Sequence, residues 1–233
     1  MNDSAVEAQR LEAAYDKRPQ RSSWSSAGHL FGQQERERLS LALLRRHRYL
    51  PLDDKTILEV GCGSGTWILQ FIRWGARPEH IAGLDVRPRA IAQARSRVPA
   101  AVRLELANAA ALPFPADAFD LVLQATVFTS VLDRDLRRQI ASEMIRVVKP
   151  TGLIMWYDFQ VNNARNPDVR AVPAHEIRDL FTGCRIELRR VTLAPPVIRW
   201  LAPHSWLATY LLSQIPPFCT HCLGAITKRP SAT

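Results

Sequence analysis

From Thr56 onward the chain alternates short apolar runs with helical patterns, and this rhythm constrains the fold more than any other feature. Strands are predicted at 56–60 (TILEV), 81–85 (IAGLD), 102–106 (VRLEL), 119–124 (FDLVLQ) and 152–158 (GLIMWYD), and helices at 65–75, 88–97, 134–148 and 174–181. Strands separated by helices of about 10 to 15 residues pair in parallel through right-handed crossovers, which builds a doubly wound α/β sheet. Runs at 184–193 (CRIELRRVTL) and 219–227 (CTHCLGAIT) add two strands, for seven in all.

Residues 1–55 read differently. They are polar, with a helical pattern over Gln33–Arg48 that lines up Leu39, Leu43, Leu44 and Tyr49, and 21–28 (RSSWSSAG) has a loop's composition. A helical arm or cap (1–55) on a main domain (56–233) is the expected organisation. Between the last two strands lies an insertion, 195–218. No Asp, Glu, Lys or Arg occurs from Trp200 to Thr227, yet Pro203, His204, Ser205 and Gln214 interrupt the apolar run Val197–Ile215. A spanning helix needs about 20 mostly apolar residues, so one buried or surface-lying helix is predicted here.

With 233 residues and 47% hydrophobic composition the chain can bury a core, which excludes a disordered tail or a small disulfide scaffold. Its net charge of +9 comes from 31 basic and 22 acidic residues. The basic residues are nearly all Arg and form no run, so nucleic acid is not an expected partner. Four cysteines suit a reducing, cytoplasmic setting, and the N-terminus lacks a secretory signal pattern. Cys219 and Cys222 make one C-x-x-C; a zinc site needs a second pair, so no metal is expected.

The chemistry concentrates at ILEVGCGSGTWILQF (57–71): a strand, then Gly61-Cys62-Gly63-Ser64-Gly65, then a helix. Glycines permit a tight turn and let bare backbone N–H groups approach a ligand at the helix N-terminus. Asp85, at the end of the second strand, can accept both hydroxyl hydrogens of a ribose. An adenosine nucleoside fits this pair of features. A dinucleotide fingerprint would place its third glycine at position 66, which is Thr, and Glu59 would repel a pyrophosphate. A carboxylate at Glu59 suits a cationic amino-acid group instead.

The motif E-V-G-C-G-S-G followed by L-D, with A-L-P-F-P-A-D-A-F-D-L-V (111–122) and R-V-V-K-P-T-G (146–152), resembles the class I S-adenosylmethionine-dependent methyltransferases of the small-molecule type. The resemblance implies a three-layer, Rossmann-like sheet of seven mainly parallel strands with an antiparallel last strand, and S-adenosyl-L-methionine as cofactor. It also implies that Gly61, Cys62, Gly63 and Gly65 shape the loop under the methionine part while Glu59 holds its ammonium. Asp85 would take the ribose, Val86, Asn108 and Ala109 the adenine; Gln124 would lie near the cofactor, and Tyr15 would fold over the methionine carboxylate.

The acceptor is less well marked. Where many relatives carry a His pair after the fourth strand, this chain has Val127-Phe128-Thr129-Ser130, which offers no strong base. Tyr157, Asp158 and Arg165, with His29 from the arm, are the candidate acceptor-binding residues. Base-methylating motifs are missing from the fourth strand end, which reads Gln124-Ala125-Thr126-Val127. In the resembled fold the insertion 195–218 leaves from the cofactor edge, so it is expected to overhang the site as a lid. Its Trp and Leu residues suggest an apolar or lipid-linked acceptor, and Arg165, Arg170, Arg189, Arg190 and Arg199 flank it. The expected reaction is O-methylation of a small-molecule hydroxyl in a biosynthetic pathway. N- or C-methylation of an aromatic or quinone ring, a non-catalytic cofactor-binding partner, a homodimer, and peripheral contact with the inner membrane surface stay open.

Overall fold

In a computed structural model of the chain, the described residues are 9–14, 26–162 and 166–229. The predicted rhythm becomes β1 (Ile57–Val60), α2 (Thr66–Arg73), β2 (Ile81–Asp85), α3 (Pro88–Arg95), β3 (Arg103–Leu106), β4 (Phe119–Ala125), α4 (Arg134–Val147), β5 (Val148–Phe159), α5 (Ala174–Leu180), β6 (Cys184–Leu193) and β7 (Cys219–Lys228). A long helix, α1 (Ala27–Arg46), precedes them, and residues 9–14 are also helical. The helix thus starts six residues before the patterned stretch Gln33–Arg48, because the Ser26 side chain caps it by accepting from the His29 N–H.

The seven strands form one sheet in the order β3-β2-β1-β4-β5-β7-β6. β1 pairs in parallel with β2 and β4, β2 with β3, and β4 with β5. β7 is antiparallel to both β5 and β6. Alternation divides the core between two faces. Leu58, Val60, Val122 and Trp156 pack with Ile140 and Met144 of α4, Ile177 of α5 and Phe181 at its C-terminal cap. Ile57, Leu121, Leu123 and Met155 pack on the other face with Leu39 and Leu44 of α1 and with Ile68 and Phe71 of α2.

One correction concerns the insertion. A single helix was expected across Val197–Ile215; the chain instead forms α6 (Pro195–Leu201) and α7 (Trp206–Ser213), followed by a 3₁₀ turn at Pro216–Phe218. Pro203 falls between the helices, and the Ser205 hydroxyl caps α7 by accepting from the Ala208 N–H. Both helices lean on α1: Phe31 packs with Ile198 and meets Trp206 edge-on at 5.2 Å. The register also fixes where they leave the sheet. Phe159 pairs with His221 and Leu193 with Cys219, so the insertion springs from the edge where the parallel strands end.

Beneath the other face, the fully buried Arg137 clamps α4 to α5. Its guanidinium donates to Glu176 at 2.6 Å, to the Val131 carbonyl at 2.7 Å and to the Arg170 carbonyl at 3.0 Å. Removing one partner of a buried pair leaves a charge uncompensated, at a cost of about 3 kcal/mol. Glu176→Ala should therefore lower the urea unfolding free energy by about that amount, and an unchanged midpoint would contradict the clamp.

Candidate functional site

The carboxyl ends of β1, β2 and β4 open into a cleft that encloses about 680 Å³ of atom-free space, open solvent at its mouth included. Gly61, Asp85, Val86, Asn108 and Ala109, all expected at the cofactor, line it. So do Val127 and Ser130 of the segment that replaces the relatives' His pair, Arg87, Leu136 and Ile140, which the sequence reading did not single out, and Leu11 of the helical segment 9–14. A second contact ties that segment to the cleft, since Arg10 donates to the Ser130 carbonyl.

The glycine turn holds the cleft floor. Gly61, Gly63 and Gly65 have φ of 71°, 54° and 77°, a region that residues with a Cβ enter only at a steric cost. A Cβ on Gly61 would stand 2.4 Å from Val127 Cγ2, and one on Gly65 would stand 2.6 Å from Val98. The Cys62 N–H donates to the Leu84 carbonyl at 2.8 Å and its thiol is buried, so Cys62 ties the turn to β2 from below the cleft.

Asp85 secures the turn from the side. Its Oδ2 accepts from the Gly63 N–H at 2.9 Å, and its Oδ1 accepts from the Arg87 N–H at 3.0 Å and from Arg87 Nε at 3.1 Å. The guanidinium therefore covers the carboxylate that the ribose was expected to take. Glu59 is buried under the first turn of α2, where its carboxyl accepts from the Ile68 N–H and does for Gly65 what a polar N-cap would. Its Oε2 is buried with no partner. Burial pushes this carboxyl well above the ordinary range, and the nearby Asp85 charge pushes the same way.

Asn108 forms a local turn: its side-chain carbonyl accepts from the Ala110 N–H at 2.9 Å, so the oxygen expected to meet an adenine is already engaged. Gln124 is fully buried behind the cleft. Its Oε1 accepts from the Val127 N–H at 3.2 Å, while its Nε2 has no partner. Tyr15 lies outside the described residues.

The acceptor candidates fare differently. Arg165 lies outside the described residues, and His29 is exposed on the first turn of α1 and does not line the cleft. Tyr157 is buried on the far face, stacked on His221 at 5.0 Å with its hydroxyl 2.9 Å from Thr192 Oγ1. Asp158 is fully buried under the loop after β4, accepting from the Thr129 N–H at 3.2 Å and the Phe159 N–H at 2.8 Å. Neither side chain reaches the cleft, because β5 is an inner strand covered at its end by that loop. Asp158 instead fixes the segment 126–131 that forms one cleft wall.

The C-x-x-C pair is likewise structural. Residues three apart on a strand point to opposite faces; Cys219 donates to the Ser213 carbonyl at 3.3 Å, while Cys222 packs in the core with Trp156. Among the described residues no group of three His, Cys, Asp or Glu is placed to hold a metal ion.

A family model described as "Methyltransferase domain" matches residues 57–152, the span from β1 into β5 that builds the cleft. Over residues 57–152 the chain is thus similar to methyltransferase domains. The chain is similar to an uncharacterized protein of Haemophilus influenzae, 32% identical over 111 residues, which is 45% of this chain and 43% of the relative. It is also 32% identical over 114 residues to the ubiquinone/menaquinone biosynthesis C-methyltransferase UbiE of Geobacter sulfurreducens, 47% of this chain and 43% of that one. The match thus spans less than half the length of these relatives. Among solved structures, magnesium protoporphyrin IX methyltransferase (ChlM) from Synechocystis PCC 6803 shares the fold, with a TM-score of 0.63 at 12% identity over 98% of both chains.

Asp158 gives the wall of the cleft a pH signature. Burial raises its carboxyl to about 7 against an ordinary value near 3.9. Between about pH 4 and 7 the folded chain keeps a proton that the unfolded chain has lost, so this group costs stability as pH rises through that window. His221 works in the opposite sense, since burial pushes its imidazole down to about 3. Relative to the unmodified chain, Asp158→Asn should therefore gain unfolding free energy by on the order of 1 kcal/mol per pH unit from pH 4 to 7, levelling above. Urea titrations across that range would show a flat difference if the carboxyl titrates normally.

Proposed function

We propose that this chain transfers a methyl group from S-adenosyl-L-methionine to a small, largely apolar acceptor. The observation that carries the reading is the cleft at the strand ends, lined by Gly61 of the left-handed glycine turn with Asp85, Val86, Asn108 and Ala109. Ligands of parallel α/β sheets bind at the carboxyl ends of the strands, where this cleft opens. Glu59 would hold the ammonium, Asp85 the ribose hydroxyls, and the glycine backbone at Gly61 and Gly63 would border the methionine part. Val86, Asn108 and Ala109 would flank the adenine. Arg87 has to leave the ribose side of Asp85 for this, which makes it a residue that the arriving cofactor displaces. When bound, the sulfonium supplies an electrophilic methyl group; the chain's own task is to hold and orient the acceptor and keep water out.

Among the described residues the ionisable groups that line the cleft are Asp85 and Arg87, and they pair with each other. Neither is placed as a general base, so the acceptor has to bring its own acidity. An enol or phenol hydroxyl meets that demand, with methylation at oxygen as the first reading. A ring carbon of the same ionised acceptor is the second, favoured by the match to a quinone C-methyltransferase. The segment 9–14 and α1 would serve as the arm that caps the cleft, and the insertion 195–218 as a lid at its edge. No helix among the described residues is long and apolar enough to cross a membrane; we place the chain in the cytoplasm, with a small molecule rather than nucleic acid as its partner.

Turnover with methyl-labelled S-adenosylmethionine and a panel of phenols, enols and hydroquinones tests this, with the product's methyl position read by nuclear magnetic resonance. We expect a labelled O- or C-methyl product whose kcat/KM follows the acceptor's own ionisation. Cofactor binding without transfer to any member of the panel would point to a non-catalytic partner instead.

A further inference from the structure

Helix α7 is built inside out. Its polar Thr209 and Ser213 are 0% and 7% exposed, whereas Leu207 and Leu211 are 68% and 57% exposed. Water-facing helices normally show the reverse. The inward polar side has a local cause: the Ser213 hydroxyl donates to the Tyr210 carbonyl at 2.8 Å, and the Thr209 hydroxyl donates to the Ser205 carbonyl at 2.7 Å. Nothing comparable accounts for the outward side. Trp200 of α6 is 70% exposed, Trp206 and Tyr210 are also exposed, and Phe218 continues the apolar surface into the turn before β7. Single exposed apolar residues are ordinary, but a contiguous set on one short insertion marks a surface that meets something else.

The charge around it indicates what. No Asp or Glu follows Glu187 in the chain. Arg38 lies over the Tyr210 ring at 5.3 Å, and the exposed Arg199 adjoins Trp200. A second copy of this chain meeting the same face would set arginines against arginines. An anionic lipid surface is complementary instead: Leu side chains enter the acyl boundary, Trp and Tyr rings suit the headgroup level, and guanidinium groups meet phosphates.

We propose that α6 and α7 dock the chain on an anionic bilayer surface. This deepens the methyl-transfer reading and rests on it for its purpose: the docked face rises from the strand-end edge that carries the cleft, so an apolar acceptor would reach the cleft from the lipid. The experiment is co-flotation of the full chain with vesicles of phosphatidylcholine alone or mixed with phosphatidylglycerol, alongside Leu207→Glu/Leu211→Glu and, separately, Arg199→Gln. Both sets of positions are exposed, and thermal melting with calorimetric S-adenosylmethionine binding shows whether each variant keeps its fold and cofactor site. The unmodified chain should float with the mixed vesicles and much less with phosphatidylcholine alone. The double variant should lose about tenfold or more of that partitioning, and Arg199→Gln should lose the part that salt removes. Failure to float while the cofactor binds would overturn the docking alone. A dimer in ultracentrifugation that the double variant turns into monomer would also overturn it, in favour of a second copy. Flotation without cofactor binding would leave the docking standing and overturn the methyl-transfer reading.

Discussion

The Gly63 amide donating to the Asp85 carboxylate is the contact on which the rest of the site depends. β1 and β2 lie side by side in register, and the chain that leaves β1 must turn within five residues to start α2. Three left-handed glycines make that turn sterically open, and the same freedom makes it costly to hold in one conformation. Asp85 from one side, the Cys62 amide on the Leu84 carbonyl and the Glu59 carboxyl under α2 from the other hold it. Two acids are thereby kept close to one turn.

That arrangement also explains why the site is electrostatically poised. Burial and the nearby Asp85 charge raise the cost of ionising Glu59. Arg87 pairs with Asp85, while Glu59 has one helix amide and an unpartnered oxygen. A cationic group at the cleft would offset both, which is the electrostatic case for a sulfonium and ammonium ligand over a pyrophosphate. The opposite character prevails a short way along the same edge, where the insertion exposes Leu and Trp and carries no acid. A charged cofactor site and an apolar surface on one rim suit a reaction that joins a polar methyl donor to an apolar acceptor.

Much of the fold was legible because period and punctuation agree. β2 and β6 match their predicted ends, and α4 ends one residue early, since apolar runs bounded by Gly, Pro and Asp leave little choice of register. The turn and Asp85 were legible for the same reason, as backbone geometry there requires those residue types. What sequence concealed was coverage. Tyr157 and Asp158 stand near the end of a parallel strand, where ligands bind in such folds, but whether a strand end is open depends on the loop that folds across it. Here residues 126–131 cover Asp158, and Thr192 with His221 closes over Tyr157. Arg87 left a signal, two residues beyond Asp85 and just before a helix-starting proline, that the reading passed over. So did Pro203 followed by Ser205, a break and a cap that divide the insertion into two helices.

The central claim is that this turn and its two acids recognise the methyl donor and not a dinucleotide. Calorimetry of the full chain with S-adenosyl-L-methionine, its demethylated product and NAD, repeated for Asp85→Ala and Glu59→Gln, tests it most directly. The account predicts that the first two ligands bind, that NAD does not, and that Asp85→Ala weakens both by about tenfold or more, the loss of a charge-assisted hydrogen bond pair. Glu59→Gln should weaken binding while leaving NAD excluded. Binding of NAD alone, or methyl-donor affinity indifferent to Asp85, would contradict it.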